Sequence, residues 1–351
     1  MNKPCQPPPP LKPGDLLRVI APSGALREWE AFDRGVEIWR KQGYKVDCNS
    51  VSEGWGYLAG TDDNRRQQLL DAWQDRECRG ILCSRGGYGS ARILEDWTWD
   101  FEAEGSEGSE GSEGEDNSKF TRHSPLATRH SPLTTRHSPL TTRHLPLATR
   151  HSPLATPNWL IGFSDITNLL WSLSGVGISG VHASVLTTLA AEPEWSIQRL
   201  FDWVEGRPIA PLTGNVWGGG VATGVLLPAN LTVATHLLGT PIFPDLEGVI
   251  LALEDVTEAP YRIDRQLTQW RLSGALSKVQ GIALGRFSRC EPPPNIPSLT
   301  IAEVLRDRLS DLNIPIISDL PFGHDGANAA LPVGVLAELD GDKGTLIIRN
   351  S

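Results

Sequence analysis

Short apolar runs alternate with longer amphipathic segments along the first half of the chain. The short runs predict buried strands, and segments with apolar residues every three or four positions predict helices. The predicted strands are 17–21, 44–48, 80–84, 159–163 and 178–181, and the predicted helices are 25–41, 61–73, 90–97 and 165–173. Because strands alternate with helices, residues 16–205 are predicted to form a Rossmann-like α/β domain with a parallel sheet.

The second half of the chain repeats this kind of pattern after a segment rich in Pro and Gly. Residues 196–205 are predicted to be a helix, and 206–220 are interpreted as a linker. The strands predicted beyond it are 221–227, 249–253, 281–284, 314–318, 333–339 and 345–348, with helices at 259–272 and 300–309. These elements predict a smaller C-terminal α/β domain over 221–351, while the Pro-rich residues 1–15 are interpreted as an extended lead.

Residues 103–156 interrupt the first domain with low-complexity sequence. A Gly/Ser/Glu tract is followed by a seven-residue repeat, Thr-Arg-His-Ser-Pro-Leu-Ala, that begins at Thr121. A proline in every repeat excludes a helix, and the repeat has too little apolar surface to fold alone. We therefore predict a disordered surface insert. Its repeated histidines could bind transition metals weakly, but a tract without a selected role is the preferred interpretation, and no metal site is assigned.

Composition narrows the possible partners of the protein. The 351 residues carry a formal net charge of −10 without a basic stripe, which argues against nucleic acid and anionic membranes as partners. No apolar stretch is long enough to span a bilayer, and the N-terminus has no apolar signal core. Five cysteines without a C-x-x-C pair fit a reducing cytoplasm. We expect a cytoplasmic protein.

Three chemically active side chains each follow a strand-like run. Ser164 lies in a predicted strand–turn–helix, Glu254 and Asp255 end a second apolar run, and His324 lies between glycines after a third. Ligands of open α/β sheets bind at the carboxyl ends of strands, and serine hydrolases also use the chain order Ser, acid, His. Either carboxylate could orient the histidine. Because strand alternation places them on opposite sides, only one of the two can face the nucleophile. Taken alone, Ser164 would be interpreted as an ordinary helix N-cap.

A glycine-rich loop at 85–89 is a candidate anion site. Gly86 or Gly87 could supply one main-chain N–H to an oxyanion, and Asp165, which follows the candidate nucleophile, could supply the other. A tight turn with glycines for packing is the alternative. Arg85 could bind a substrate carboxylate or form a salt bridge with a neighbouring Asp, and the two interpretations are evenly balanced. His182 follows a predicted strand, and a structural hydrogen bond is its preferred role.

Six ordered motifs, spread over most of the chain, resemble one known family. They are 12–15 with 19–23, 58–65, 84–89, 162–167, 253–256 with 261–265, and 323–324 with 331–334. In these motifs the chain resembles the LD-carboxypeptidases, serine peptidases that include the microcin-immunity peptidases. The resemblance implies Ser164, Glu254 and His324 as catalytic residues, no cofactor, and a homodimer. It also implies release of terminal D-Ala from a small murein tetrapeptide during cell-wall recycling.

The chain departs from this family at two places that we expect to line the site. His182 is followed by Ala183-Ser184 where the family usually has Gly-Pro, and Asn230 is preceded by Pro228-Ala229 where it usually has two glycines. His182 and Asn230 are assigned as substrate-binding residues beside Arg85. The alternatives are hydrolysis of a peptidyl or aminoacyl nucleotide antibiotic, and a non-catalytic module that binds an anionic peptide.

Replacing residues 103–156 with a short Gly/Ser linker should change neither folding nor the implied peptidase turnover. Loop-closure entropy rises only logarithmically with length, and the Pro-bearing repeats can add little to a core. Thermal midpoint and turnover should be compared between the deletion and the full-length protein. A large fall in either quantity would show that the insert docks on the fold or covers the site.

Overall fold

The computed structural model describes residues 3–51, 54–99, 157–292 and 294–349. The predicted disordered insert, 103–156, lies outside the described residues. The fold is of the α/β class, as predicted, with strands arranged in two sheets. Across this part of the chain, no helix combines the length and apolar character that crossing a bilayer requires.

The N-terminal sheet has six strands, of which five run parallel. Their order is β12-β5-β4-β3-β1-β2. The bounds are β1 Leu16–Ile20, β2 Lys45–Asp47, β3 Cys78–Cys83, β4 Trp159–Gly162, β5 Val181–His182 and β12 Leu331–Pro332. The central strands β3 and β4 are almost wholly buried. Their continuous apolar runs are typical of parallel strands that are covered on both faces.

The N-terminal helices pack on this sheet through apolar faces. They are α1 Trp29–Lys41, α2 Asp62–Gln74, α3 Thr167–Gly175, α4 Leu186–Leu189 and α5 Glu194–Val204. Helix α1 buries Phe32, Val36 and Trp39, which recur at helical spacing. Thr61 caps α2 by accepting a hydrogen bond from the backbone N–H of Asn64 at 3.2 Å.

The C-terminal sheet has eight strands in the order β6-β14-β13-β8-β9-β10-β11-β7. The bounds are β6 Leu212–Thr213, β7 Asn215–Gly218, β8 Val221–Asn230, β9 Val249–Val256, β10 Gly281–Ser288, β11 Ile316–Ser318, β13 Leu336–Asp340 and β14 Thr345–Ile348. The associated helices are α6 Leu231–Leu237, α7 Pro260–Leu272 and α8 Ile301–Leu309. Strands β6 and β7 are separated by one residue and lie at opposite ends of the order. A single segment therefore completes both edges of the sheet.

One excursion of the chain ties the two sheets together. Strand β12 pairs with β5 in the N-terminal sheet, Leu331 opposite His182, before the chain returns to the C-terminal sheet as β13. The indole N–H of Trp171 in α3 also donates to the carbonyl oxygen of Pro228 in β8 at 3.0 Å. The carboxyl ends of β4 and β9 are thereby brought to a common junction.

The structure corrects several predicted elements. The segment interpreted as a linker, 206–220, contains β6 and β7. The strand predicted at 333–339 is replaced by the two-residue β12 and by β13, and the helix predicted at 90–97 is a 3₁₀ helix, Ser90–Leu94. Short strands and single turns carry too few residues for a periodic pattern to define them. The proposed domain boundaries stay a prediction.

Candidate active site

Ser164 occupies a strained turn between β4 and α3. Its backbone φ is +63°, which non-glycine residues rarely adopt. The turn is so tight that a side-chain carbon on Gly162 would lie 2.9 Å from the side chain of Ile166, two residues beyond Ser164. A 3₁₀ turn, Ser164–Ile166, leads directly into α3. The sharp strand-to-helix turn presents the Ser164 hydroxyl at the end of the sheet, as in nucleophile elbows.

The structure brings Ser164, His324 and Glu254 into one hydrogen-bonded line. His324 Nε2 lies 3.1 Å from Ser164 Oγ, and His324 Nδ1 lies 2.6 Å from Glu254 Oε2. Glu254 is completely buried and the His324 side chain is 15% exposed. A proton on Nδ1 donates to the carboxylate, which leaves Nε2 free to accept the hydrogen bond of the Ser164 hydroxyl.

The loop that carries His324 is fixed from both sides. The backbone N–H of Gly323 donates to Asn328 Oδ1 at 3.1 Å. The guanidinium of Arg286 donates to the carbonyl oxygens of Asp325 and Ala327 at 2.9 and 2.8 Å. These bonds satisfy main-chain groups in a segment without regular secondary structure, and they limit movement of the imidazole.

Asn230 positions the buried carboxylate of Glu254. Its side-chain N–H group donates to Glu254 Oε1 at 3.2 Å and to Asp255 Oδ1 at 3.3 Å, while its Oδ1 caps helix α6. Asn230 is only 3% exposed. Asn230 therefore contacts the Glu254 carboxylate and orients it, while its assignment as a substrate-binding residue stays a prediction.

Asp255 faces away from His324, as the alternation of the strand predicts. Its carboxylate accepts hydrogen bonds from the backbone N–H and the hydroxyl of Thr232 at 2.8 and 2.7 Å. Burial and the adjacent Glu254 raise the pKa of Asp255 to about 6. The two neighbouring carboxyl groups are thus distinguished by their partners, and only Glu254 contacts the histidine.

Gly86 packs directly against the candidate nucleophile. A side-chain carbon at this position would lie 3.1 Å from Ser164 Cβ and 3.2 Å from Ser164 Oγ. The carbonyl oxygen of Gly86 accepts a hydrogen bond from the backbone N–H of Gly24 at 3.1 Å, and Gly87 has a φ of +114°. The glycines therefore allow the loop backbone to approach the hydroxyl, which is where an oxyanion would form.

The side chain of Asp165 joins three segments around this loop. It accepts hydrogen bonds from the Ser23 hydroxyl at 2.6 Å and from the backbone N–H of Ser90 at 2.8 Å. Asn168 bonds to the main-chain carbonyl oxygen of Asp165 at 3.0 Å. Burial raises the pKa of Asp165, against the opposing effect of these hydrogen bonds. The residue that follows Ser164 is thus fixed by the segments after β1 and β3.

Arg65 is a positioning residue to which the sequence analysis assigned no role. It is completely buried, and its guanidinium donates to the carbonyl oxygens of Pro22 and Gly89 and to Asp62. It therefore connects the loop after β1 to the end of the glycine loop. The available signal was the motif 58–65, where an arginine follows the N-cap of a helix, but a helical arginine is ordinarily expected to be exposed.

Arg85 has intramolecular partners. Its guanidinium donates to the carbonyl oxygen of Ala25 at 2.7 Å and lies 3.5 Å from a carboxylate oxygen of Glu28. The partner is a glutamate of the preceding loop where the sequence analysis expected an aspartate. The side chain remains 26% exposed. These contacts orient the guanidinium without enclosing it.

His182 is buried between aromatic rings. Its ring centroid lies 5.8 Å from that of Phe163 and 6.4 Å from that of Phe322. Within the described residues neither ring nitrogen has a hydrogen-bond partner, so the expected structural hydrogen bond is wrong. With 0% exposure the ring also has no surface to offer a substrate. Burial, together with the nearby His324, lowers the pKa of His182 to about 3.

The residues at both departures from the family pattern are buried in the protein interior, so their side chains do not line an open site. Ala183 and Ala229 are 1% and 0% exposed. The Ser184 hydroxyl donates to Glu192 Oε1 at 2.7 Å, and Glu192 Oε2 accepts a hydrogen bond from the backbone N–H of Asn328 at 2.7 Å. Ser184 therefore supports the loop that carries His324.

Two sequence profiles that describe the N- and C-terminal domains of the LD-carboxypeptidases match this chain. The N-terminal profile matches residues 17–107 and the C-terminal profile matches residues 223–339. A protein of Synechocystis sp., named provisionally as a carboxypeptidase, is 52% identical over 341 residues, which cover 96% of this chain and 95% of that protein. An α/β fold that carries a Ser–His–Glu group is what a family of serine-type peptidases would have. The chain belongs to the LD-carboxypeptidase family.

The similarity to more distant relatives also covers nearly the full length of both chains. The murein tetrapeptide carboxypeptidase of Pseudomonas aeruginosa is 26% identical over 349 residues, covering 93% of this chain and 94% of that protein. The crystal structure of muramoyltetrapeptide carboxypeptidase from Oxalobacter formigenes superimposes with a TM-score of 0.72 at 22% identity, covering 94% and 97% of the two chains. The microcin C7 self-immunity protein MccF, in complex with aspartyl sulfamoyl adenosine, gives 0.74 at 18% identity and covers 98% of each chain. These structures share the fold.

Replacing His182 with leucine should make the folded protein less sensitive to acid. The folded protein keeps this imidazole neutral down to a pH of about 3, whereas in the unfolded chain it becomes protonated below a pH of about 6.5. The free energy of unfolding of the wild type therefore falls as the pH is lowered from about 6.5 towards 3. The free energy of unfolding of His182→Leu, relative to that of the wild type, should therefore rise as the pH is lowered from about 7 to about 4.5. Denaturant unfolding at several pH values measures this difference.

The matched control is His236→Leu, a change at an exposed histidine of α6. It tests whether loss of any imidazole produces the same trend. A stability difference for His182→Leu that does not vary with pH would contradict a buried neutral His182.

Proposed function

We propose that the protein is a serine carboxypeptidase that hydrolyses an L,D-peptide bond. The observation that carries this proposal is the line of hydrogen-bonding contacts from Ser164 through His324 to Glu254, with separations of 3.1 and 2.6 Å. A serine hydroxyl is a weak nucleophile unless a base accepts its proton, and the base needs a partner that fixes its tautomer. Here each of the three side chains has the partner that its proposed role requires.

In the acylation step, Ser164 Oγ attacks the scissile carbonyl carbon while His324 Nε2 takes the hydroxyl proton. The Glu254 carboxylate stabilises the imidazolium that forms. The resulting tetrahedral oxyanion accepts hydrogen bonds from the main-chain N–H groups of Asp165 and of Gly86 or Gly87. Collapse of this intermediate breaks the C–N bond, and His324 returns the proton to the leaving amine.

In the deacylation step, a water molecule takes the place of the departed amine beside the acyl ester. His324 Nε2 takes a proton from the water as its oxygen attacks the Ser164 ester carbonyl. The ester bond then breaks, the proton passes to Ser164 Oγ, and the shortened peptide leaves with a new carboxylate. The left-handed backbone conformation of Ser164 supports both steps, because it presents Oγ at the tip of the turn.

The substrate class we propose is a murein tetrapeptide that ends in D-Ala. Relatives that cover nearly the whole chain support it: the Pseudomonas aeruginosa protein is a murein tetrapeptide carboxypeptidase, and one from Bacillus subtilis is named as a probable murein peptide carboxypeptidase at 28% identity. The five cysteines, all among the described residues, are unpaired, which supports a reducing cytoplasm as the location. The homodimer stays a prediction.

Ser164→Ala and His324→Ala should each abolish most D-Ala release from a purified tetrapeptide. Residues that act as one unit are not additive, so the double variant should lose little more than either single variant. Each loss should be roughly 10⁴-fold or more. Turnover and circular dichroism should be measured together, so that lost activity is separated from lost folding.

A fluorophosphonate probe supplies the chemical control. It should label Ser164 in the wild type and fail to label either variant, because only an activated serine reacts. Retention of most turnover by folded Ser164→Ala would contradict the mechanism. Hydrolysis of an acyl-sulfamoyl adenylate in preference to the tetrapeptide would retain the chemistry but assign the protein to the antibiotic-hydrolysing alternative.

Gly86→Ala should lower turnover by about 10²–10³-fold, the cost of one lost oxyanion donor. The added carbon would meet Ser164 Oγ at 3.2 Å, so the loop or the hydroxyl must move. Gly175→Ala is the control, since its added carbon meets no atom within 4 Å. Unchanged turnover in Gly86→Ala would exclude this loop from the oxyanion site.

A further inference from the structure

An open cleft lies along the glycine loop that packs against the candidate nucleophile. It has a volume of about 450 Å³. It is lined by Gly24, Arg27, Tyr57, Arg85, Gly87 and Tyr88. The lining comes from the loop after β1, the segment before α2 and the loop after β3. The cleft therefore shares its glycine loop with the candidate oxyanion site.

The cleft adjoins the residue that packs against the candidate nucleophile. Gly86, the neighbour of Gly87, is the residue whose added side chain would touch Ser164 Oγ. The terminal carboxylate of a carboxypeptidase substrate is one residue beyond the scissile bond. One residue spans at most about 3.8 Å between Cα atoms, so the group that binds this carboxylate must lie next to the attacked carbonyl.

Two guanidinium groups supply positive charge to the cleft. Arg85 is held against Gly24, where a side-chain carbon would lie 3.5 Å from Arg85 Nε, and it is oriented by the carbonyl oxygen of Ala25. Arg27 is exposed, and within the described residues its guanidinium has no hydrogen-bond or ion-pair partner. The opposing charge is Glu28, 3.5 Å from Arg85 and about half exposed.

Two tyrosine rings also line the cleft. The rings of Tyr57 and Tyr88 lie 6.0 Å apart between centroids, and both residues are more than half exposed. Large exposed aromatic surfaces are common at recognition sites, because they provide contact area with few rotatable bonds. Here they would cover the small apolar side chain of a terminal residue while its carboxylate meets the two arginines.

We infer that Arg27 and Arg85 bind the C-terminal carboxylate of the peptide substrate in this cleft. The inference rests on the proposed function, and it adds Arg27 and the Tyr57–Tyr88 rim to the site. Charge-assisted hydrogen bonds to a carboxylate favour the free acid over a neutral amide. The protein should therefore select peptides with an unblocked C-terminus, and this selection should be a property of binding as well as of turnover.

The test measures binding of two peptides to Ser164→Ala by calorimetry. One is a murein tetrapeptide ending in D-Ala, and the other is the same peptide with a C-terminal carboxamide. The acid should bind about 100-fold more tightly, since each of the two arginines should contribute about 10-fold. Adding Arg27→Gln or Arg85→Gln should each reduce this ratio by about 10-fold or more, since hydrogen bonds to charged groups have this magnitude.

Arg34→Gln is the matched control for the loss of one positive charge. Arg34 lies on α1, is 58% exposed in its side chain and pairs with Glu30 outside the cleft. Its acid-to-amide ratio should equal that of the parent. Arg27 is exposed and holds no main-chain group through its side chain, so Arg27→Gln keeps the test valid if Arg85→Gln disturbs the loop.

The outcomes separate this inference from the proposed function. An unchanged ratio in Arg27→Gln, or equal binding of both peptides by the parent, would overturn the carboxylate assignment. Fluorophosphonate labelling of Ser164 and release of D-Ala by the wild type report the proposed function independently. If both are present while the ratio is unchanged, the peptidase assignment stands and the cleft inference fails.

Discussion

The pairing of β12 with β5 is the interaction on which the candidate site depends. Gly162, His182 and Leu331 lie side by side across three neighbouring strands. Ser164 lies two residues after the first of these, and the loop that carries His324 leads into the last, so this pairing brings the segments that carry the hydroxyl and the imidazole to the same edge of the sheet. Within that loop, Arg286 and Asn328 then hold the backbone around His324, whose Nε2 lies 3.1 Å from Ser164 Oγ.

The buried carboxylate is the second constraint, because an unpaired charge in a protein interior costs much of the stability of a domain. Glu254 avoids this cost through His324 on one oxygen and Asn230 on the other. Asn230 in turn is held by its role as the N-cap of α6. The carboxylate is therefore fixed by the start of a helix, and its orientation does not depend on the substrate.

The sequence was sufficient to predict the three residues that now lie in line. Ser164, Glu254 and His324 each follow a strong apolar run, and strand ends of parallel sheets converge. The resemblance selected Glu254 over Asp255, and in the structure it is Glu254 that contacts His324. Alternation along β9 alone could not make this choice, because it predicts opposite sides without saying which side faces the histidine.

The residues behind the site could not be predicted in the same way. Arg65 was given no role, because arginine is ordinarily exposed, and Asn230 was assigned to the substrate, because asparagine ordinarily contacts solvent or ligand. In the structure both side chains satisfy buried groups. His182 was expected to form a hydrogen bond and instead packs between rings. The two-residue β12 was missed since its pairing is non-local and carries no periodic signal.

The hydrogen bonds of Ser184 indicate how the chain can depart from its family at this position and retain the site geometry. A proline cannot donate a hydrogen bond, whereas the Ser184 hydroxyl contacts Glu192, which binds the backbone of Asn328. Asn328 holds Gly323, the residue before the candidate base. The departure therefore acts on the position of His324 through the protein interior. We therefore expect differences from the family at 183–184 to affect the alignment of the base more directly than the choice of substrate, which the arginine cleft would determine.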